Sequence, residues 1–284
     1  MSGIEFAVAV RPGEHACSRL AHADDRERLA VGYVQRTLAR GNKVVYLADR
    51  EDLGAFVDGL AERDDEIAAA LRSGQLSVRQ AVDVYAPDGV FDPERTLAFI
   101  AGEHAGALAD GYPALSMSGE MSALDNLAGV EDICAFEQCL RADADEGTLM
   151  FLCQYDHAAV AAGALRALAD IHDVDVAPQL AAIGRDGYLA AASVGHGAQA
   201  TLRLCGELDF GSADTLATVL GAHYHGRLRL DLQDLDFIDL AGMRALRGRT
   251  QRPLTILGAS ASVQRMLDLL AWDTDPTIEI LAAP

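Results

Sequence analysis

Apolar and polar residues recur along this chain with two periods, and the period switches as predicted helices alternate with predicted strands. His15 to Leu20 reads as a strand, and Asp24 to Arg40 as a helix whose inner face is Ala30, Tyr33, Val34, Thr37 and Leu38. Asp24 and Glu27 have capping-box spacing at its start, and Gly41-Asn42 ends it. Val44-Val45-Tyr46-Leu47-Ala48 is a continuous apolar run, the mark of a strand buried on both faces. The alternation continues with helices near 53–60 and 65–72, a strand at 75–79, a helix at 93–110 opened by Pro93 and a strand at 114–117. A helix at 130–141, the strand Leu149-Met150-Phe151-Leu152-Cys153 and a helix at 158–170 follow. Strands separated by helices imply an α/β fold with a mostly parallel sheet covered on both faces.

The periodicity lapses between Val176 and Gly187, a stretch that contains Pro178 and Gly184, so the expected division is residues 1–178 and 187–284. Beyond it, Leu202 and Leu204 alternate with Thr201 and Arg203, and Leu228, Leu230 and Leu232 alternate with Arg229 and Asp231. Period two with one polar face predicts half-buried strands. Val263, Met266, Leu267 and Leu270 give a helix face, with Ser262 as the expected cap. The second part is therefore expected to be a small β-sheet backed by helices.

Charge and cysteine usage narrow the setting. A net charge of −20 in 284 residues, without a basic run, argues against nucleic-acid phosphate or an anionic membrane as a direct partner. A basic or mixed-charge protein is the easier partner, and simple solubility is the competing explanation for the acidity. The five cysteines, Cys17, Cys134, Cys139, Cys153 and Cys205, are odd in number and irregular in spacing, which is not a secreted disulfide framework. Ile4 to Val10 is a short apolar run without a basic leader, and no stretch reaches the ~20 apolar residues of a membrane span. A cytoplasmic protein is expected.

Several residues carry candidate chemistry. His15 and Cys17 alternate on one strand and share a face, while Glu120 and Asp156 follow predicted strands, at the edge where open α/β folds bind ligands. With Cys153 and Tyr155 they define a candidate ligand cleft of His15, Cys17, Glu120, Cys153, Tyr155 and Asp156. The competing assignments are a hydrogen-bonded core histidine for His15, small buried hydrophobes for the cysteines, and a capped turn for Tyr155-Asp156. His15, Cys17 and Cys153 offer soft metal donors, but there is no CxxC pair or HExxH helix, and Cys134 and Cys139 lack the usual zinc spacing. No metal and no cofactor are assigned. There is no GxxxxGK[ST] phosphate loop and no GxSxG elbow; Arg40-Gly41-Asn42-Lys43 leads from helix to strand, the reverse of a phosphate loop. No catalytic residue is assigned, and the chain is expected not to be an enzyme; an unfamiliar active site, set by geometry alone, is the least favoured alternative.

Two resemblances add to this reading. Gly206-Glu207-Leu208-Asp209, then Leu228 to Leu232, then Asp236-Phe237-Ile238-Asp239-Leu240-Ala241-Gly242, resemble in order and spacing the STAS domain of anti-sigma factor antagonists, over about 187–280. That resemblance implies an anti-sigma factor or related kinase-like regulator as partner, bound around Asp239, Leu240, Ala241 and Gly242. In the family a Ser or Thr usually follows the Asp and accepts phosphate; here Leu240 and Ala241 have no hydroxyl, so the surface is expected without the phosphorylation. Asp239 is also placed to cap the next helix.

Gly13-Glu14-His15-Ala16-Cys17, Tyr85 to Pro93, Ser118-Gly119-Glu120-Met121 and Leu152 to Asp156 together resemble the MEDS sensory domain of methanogen and methylotroph regulators, over about 13–177. The resemblance implies a RecA/KaiC-like core, here without a phosphate loop, that senses a small molecule. The family commonly has an Arg near Ser116 and a Trp near Ala123; with both missing, a pocket lined by them is wider or has lost its ligand. A signalling protein with a ligand-binding first domain and a partner-binding second is the leading expectation. A constitutive adaptor with a degenerate sensory domain is the alternative.

Overall fold

The structure, a computed structural model, describes residues 10–20, 22–124, 127–144, 147–157, 160, 162–177, 180, 183, 189–248 and 251–281. Most of the apolar run at 4–10 and the boundary residues Pro178, Gly184 and Gly187 lie outside the described residues. The chain forms two compact units, the first running from Val10 to Asp175 and the second from Val176 onward.

In the first unit, strands β1 (His15–Leu20), β2 (Lys43–Ala48), β3 (Leu76–Gln80), β4 (Leu115–Glu120) and β5 (Leu149–Asp156) lie in the order β1-β5-β4-β2-β3, and β6 (Val174–Val176), whose first two residues end this unit, lies beside β1. Every pairing from β1 to β3 is parallel. Helices α1 (Ala23–Ala39), α2 (Leu53–Arg63) and α3 (Asp65–Ser73) bury Ala30, Val34, Leu60 and Ile67 against Val44, Tyr46 and Ala48 on one face. Helices α4 (Ala81–Tyr85), α5 (Pro93–Ala109), α6 (Val130–Ala144) and α7 (Ala162–Ile171) bury Tyr85, Ile100, Phe136 and Leu168 against Val45, Met117, Phe151 and Cys153 on the other. Continuous apolar strands follow from this, because neither sheet face meets water.

Local chemistry sets the element ends, with three departures from the sequence pattern. Helix α1 starts one residue early: His22 is its N-cap and makes no side-chain cap bond, so Asp24 and Glu27 form no capping box and Asp24 lies inside the first turn. Its carboxylate still faces the positive end of the helix dipole. Gly41, at φ +77°, closes α1 as expected, and its N–H donates to the Leu38 carbonyl at 2.8 Å. Helix α4 was not anticipated, since five residues of Ala-Val-Asp-Val-Tyr show no helical period. Strands β4 and β5 run on to Glu120 and Asp156, so these residues end strands and do not follow them.

The second unit holds β7 (Leu189–Val194), β8 (Thr201–Leu208), β9 (Leu228–Leu232), β10 (Leu235–Ile238), β11 (Leu254–Ala259) and β12 (Ile278–Leu281). The order is β12-β11-β9-β8-β7, with β10 beside β8; β7 is antiparallel to β8 and the remaining pairs are parallel. Helices α8 (Phe210–His223), α9 (Leu240–Arg247) and α10 (Ala261–Leu269) pack Leu216, Leu246, Val263 and Leu267 against Leu204, Leu230 and Ile256. The cap of α10 is Ser260, accepting from the Val263 N–H, while Ser262 donates instead to the Asp236 carbonyl. The polar face expected for β8 and β9 is not washed by solvent: Arg203 and Asp231 are buried and paired at 3.1 Å.

Gly119 shows how tightly the first unit is packed. A Cβ built there would lie 2.0 Å from the Tyr85 hydroxyl oxygen and 3.3 Å from its ring. Gly119→Ala should therefore destabilise the protein by about 1–3 kcal/mol in urea unfolding. The double variant with Tyr85→Phe should recover part of that loss, whereas additive costs would place the strain elsewhere.

Candidate functional site

Side chains on a strand alternate between faces, and this parity divides the expected ligand cleft. Cα register pairs His15 with Phe151 and Cys17 with Cys153, so His15, Cys17, Cys153 and Tyr155 share the face under α6 and α7. Glu120 pairs with Gln154, and Leu20 with Asp156, on the opposite parity. The single cleft of six residues is thus corrected to two groups on opposite faces of one sheet.

The first group is enclosed. His15 is fully buried, and its Nε2 lies 2.8 Å from Glu137 Oε2 and 3.4 Å from Cys153 Sγ. The Cys153 thiol is 3.3 Å from the same carboxylate oxygen, and the Tyr155 hydroxyl donates to Glu137 Oε1. His172, just past α7, donates from Nδ1 to the Leu168 carbonyl at 2.7 Å and turns Nε2 toward Glu137 Oε2 at 3.4 Å. Cys17 stands slightly apart, with its thiol 3.5 Å from Asp175 Oδ1, a carboxylate that Arg19 holds in a two-point pair.

Glu137 organises the electrostatics. Burial works against its charge, yet the His172 and His15 rings hold its carboxyl well below the ordinary carboxylate range. Burial also opposes charge on His172, but with both neighbouring thiols protonated it is the Glu137 carboxylate that holds this imidazole above its usual value. For His15 burial wins and lowers the pKa. Geometry gives the same division, because His15 Nδ1 has no hydrogen-bond partner and no reason to carry a second proton. The Cys153 thiol is pushed up by burial and stays protonated.

The second group sits at the carboxyl edge of the sheet. Glu120 accepts from the Tyr46 hydroxyl and the Asp49 N–H, both at 2.8 Å, and pairs with Arg50. Asp156 pairs with Arg26 at 3.0 Å. Ser116, where a larger family side chain was expected to be missing from a pocket wall, is buried and accepts from Asn42 Nδ2 at 3.0 Å. Ala123 is buried as well. Two spaces differ in kind here. A cavity of about 20 Å³ beside Cys153 is lined by Leu47, Tyr85, Met117 and Phe151, room for little more than one water. An open pocket of about 460 Å³ lies at the end of β3, lined by Leu53, Arg79, Asp83, Arg95 and Phe99.

In the second unit Asp239 is the N-cap of α9, accepting from the Gly242 N–H at 2.8 Å through Oδ1. Its other oxygen accepts from the Phe210 N–H at 3.0 Å, the first residue of α8. One carboxylate therefore ties two helix starts. Gly242 is required by close approach, since a Cβ there would lie 2.6 Å from both the Leu208 carbonyl oxygen and its side chain. Around the turn Phe210, Phe237 and Leu240 are 79, 47 and 45% exposed. Leu240 also borders a groove of about 470 Å³ with Met243, Arg244, Leu270 and Trp272.

Glu137 and His172 were not among the residues the sequence singled out. Glu137 had a readable signal: it falls on the same helical stripe as Ile133, Phe136 and Leu140, where a carboxylate must find a partner. His172 had none beyond following an apolar helix.

Two family models match the chain in succession. Residues 14–173 match the MEDS family (methanogen/methylotroph, DcmR sensory domain), over half the chain, and the chain belongs to that family. Residues 192–282 match the Mlab, STAS domain family. Together the two domain types place the chain in signalling or regulation. No curated protein sequence matches it. Among solved structures, the flagellar accessory protein FlaH from Methanocaldococcus jannaschii is similar at 13% identity and a TM-score of 0.40, over 69% of this chain and 78% of that one. Among the described residues no helix is long and apolar enough to cross a membrane.

Removing the Glu137 charge tests the buried cluster. Glu137→Gln should cost about 3–5 kcal/mol, because it strands a buried imidazolium. The depressed carboxyl contributes fully above its ordinary value of 4.5 and loses that contribution as pH falls. The raised imidazole contributes fully below its ordinary 6.5 and loses that contribution as pH rises. Urea unfolding of chelator-treated protein should show the largest difference between wild type and variant between those two values; a difference independent of pH would contradict the ion pair.

Proposed function

We propose that this protein is a cytoplasmic, non-enzymatic signalling switch whose STAS unit docks an anti-sigma factor or a related regulator through the surface around Asp239, Leu240, Ala241 and Gly242. The observation that carries this is the exposed triad Phe210, Phe237 and Leu240 gathered around one capped turn. Clustered, exposed large apolar side chains mark protein contact surfaces. The groove beside Leu240 extends that surface. Regulation by phosphate at the turn is chemically closed to Leu240 and Ala241, and Ser212 at the start of α8 is buried in its own capping box with Asp209. The signal then arrives without covalent modification of the turn.

The MEDS unit supplies it by binding a small molecule at the carboxyl edge of its strands. Support comes from the open pocket there, whose volume suits a small ligand and whose walls set Arg79 and Arg95 beside Phe99. Arg79 is paired with Glu103 at 3.2 Å and Arg95 with Asp88 at 3.1 Å, both exposed pairs that a small carboxylate with an apolar body would exchange for its own. His15, Cys17 and Cys153 are closed off from that edge by burial, so a ligand bound there does not touch them. Glu120 and Asp156, ending adjacent strands, stand at the same edge.

Calorimetry of the full chain against its anti-sigma-type partner provides the test. Leu240→Glu or Phe237→Glu should weaken binding at least ~10-fold, and equal affinity for wild type and both variants would reject the surface. Partner affinity measured with and without saturating small carboxylate separates the switch from a constitutive adaptor, since coupling requires that the ligand distinguish two states. An unchanged affinity would select the adaptor. Incubation with kinase and ATP should leave the turn unphosphorylated by mass spectrometry.

A further inference from the structure

The cluster under α6 and α7 has the composition of a metal site as well as of an ion pair. His15 Nε2, Glu137, Cys153 Sγ and His172 offer one donor each, all within 4.8 Å of one another, and all four side chains are buried. They come from four separate elements: β1, α6, β5 and the residue after α7. Around a tetrahedral Zn²⁺, bonds of about 2.0 Å to nitrogen or oxygen and 2.3 Å to sulfur place ligand atoms roughly 3.3–3.6 Å apart. Of the six separations among these four atoms, three, at 3.3, 3.4 and 3.4 Å, fall in that range, one, at 2.8 Å, is drawn in by a hydrogen bond, and the other two lie within 4.8 Å.

Two further details point to a cation. His172 Nε2 is buried and makes no hydrogen bond, although it faces the centre of the group. Its Nδ1–H is already committed to the Leu168 carbonyl, the arrangement by which a metal-bound histidine is fixed in one tautomer. The Tyr155 hydroxyl occupies the other Glu137 oxygen in the same supporting way.

We propose that His15, Glu137, Cys153 and His172 form a closed structural site for a divalent, borderline-soft metal ion, with Zn²⁺ the best fit. One carboxylate, one thiolate and two neutral imidazoles balance the two positive charges, so the occupied site is neutral and suited to a dry interior. On coordination the protons on Cys153 Sγ and on the metal-bound imidazole nitrogens leave; His15 keeps a proton by moving it to Nδ1, and the remainder pass to solvent. A set of four protein donors leaves no open position, which assigns the metal to holding α6 and the end of α7 onto the sheet and not to chemistry on a substrate.

Refolding full-length protein from denaturant with Co²⁺, followed by gel filtration, tests this. The expected result is about one cobalt per chain, with the visible bands of tetrahedral Co²⁺ and a near-ultraviolet thiolate charge-transfer band that Zn²⁺ erases. Cys153→Ser should abolish the charge-transfer band, while Cys139→Ser, at an exposed position, should keep it. His172→Gln should weaken Zn²⁺ binding at least ~100-fold in chelator competition. X-ray absorption on the wild type needs no variant to fold and should give one sulfur and three nitrogen or oxygen neighbours. Less than ~0.1 metal per chain after refolding with excess ion, or a shell with two or more sulfurs, would overturn the proposal.

Discussion

A carboxylate with no access to water has to be neutralised by what surrounds it, and the Glu137 side chain is the place where the first unit meets that requirement. Its helix could have buried an apolar residue at this position, as it does at Phe136 and Leu140. With Glu137 there, the sheet beneath must present cationic or donor groups at the same point. His15, Cys153 and Tyr155 do so from adjacent strands, and His172 from beyond α7. The register of β1 against β5 and the docking of two helices are thereby coupled to one charge. Sliding either strand by one residue would turn its donors to the other face.

The second unit solves a smaller version of the same problem. The N-terminal amides of α8 and α9 need acceptors, and the Asp239 carboxylate serves one from each. Phe210, Phe237 and Leu240 stand exposed around the turn so capped. Leu240 and Ala241 carry no hydroxyl, and the capped geometry of the turn needs none.

Much of the architecture was legible because strands buried on both faces read as unbroken apolar runs and helix ends carry Pro93, Gly41 and Asp239. What was missed has physical causes. Helix α4 is too short for a period to show, and Ser260 displaces Ser262 because β11 ends at Ala259 and the helix begins at Ala261, so the cap falls two residues before the one the apolar face suggested. The candidate site was half legible: parity along β5 already separates Cys153 and Tyr155 from Asp156, but the length of that strand had to be known before parity could be applied. The burial of Glu137 was readable from its helical stripe, but its meeting with His15 and His172 is set by helix packing, a long-range fact that no local pattern encodes.

The doubly engaged Asp239 has one more implication. Because the first amide of α8 and the first turn of α9 lean on opposite oxygens of a single side chain, neither helix start can loosen without slackening the other. Phe210 and Leu240, the first residues of the two helices, are thereby held in register by one carboxylate.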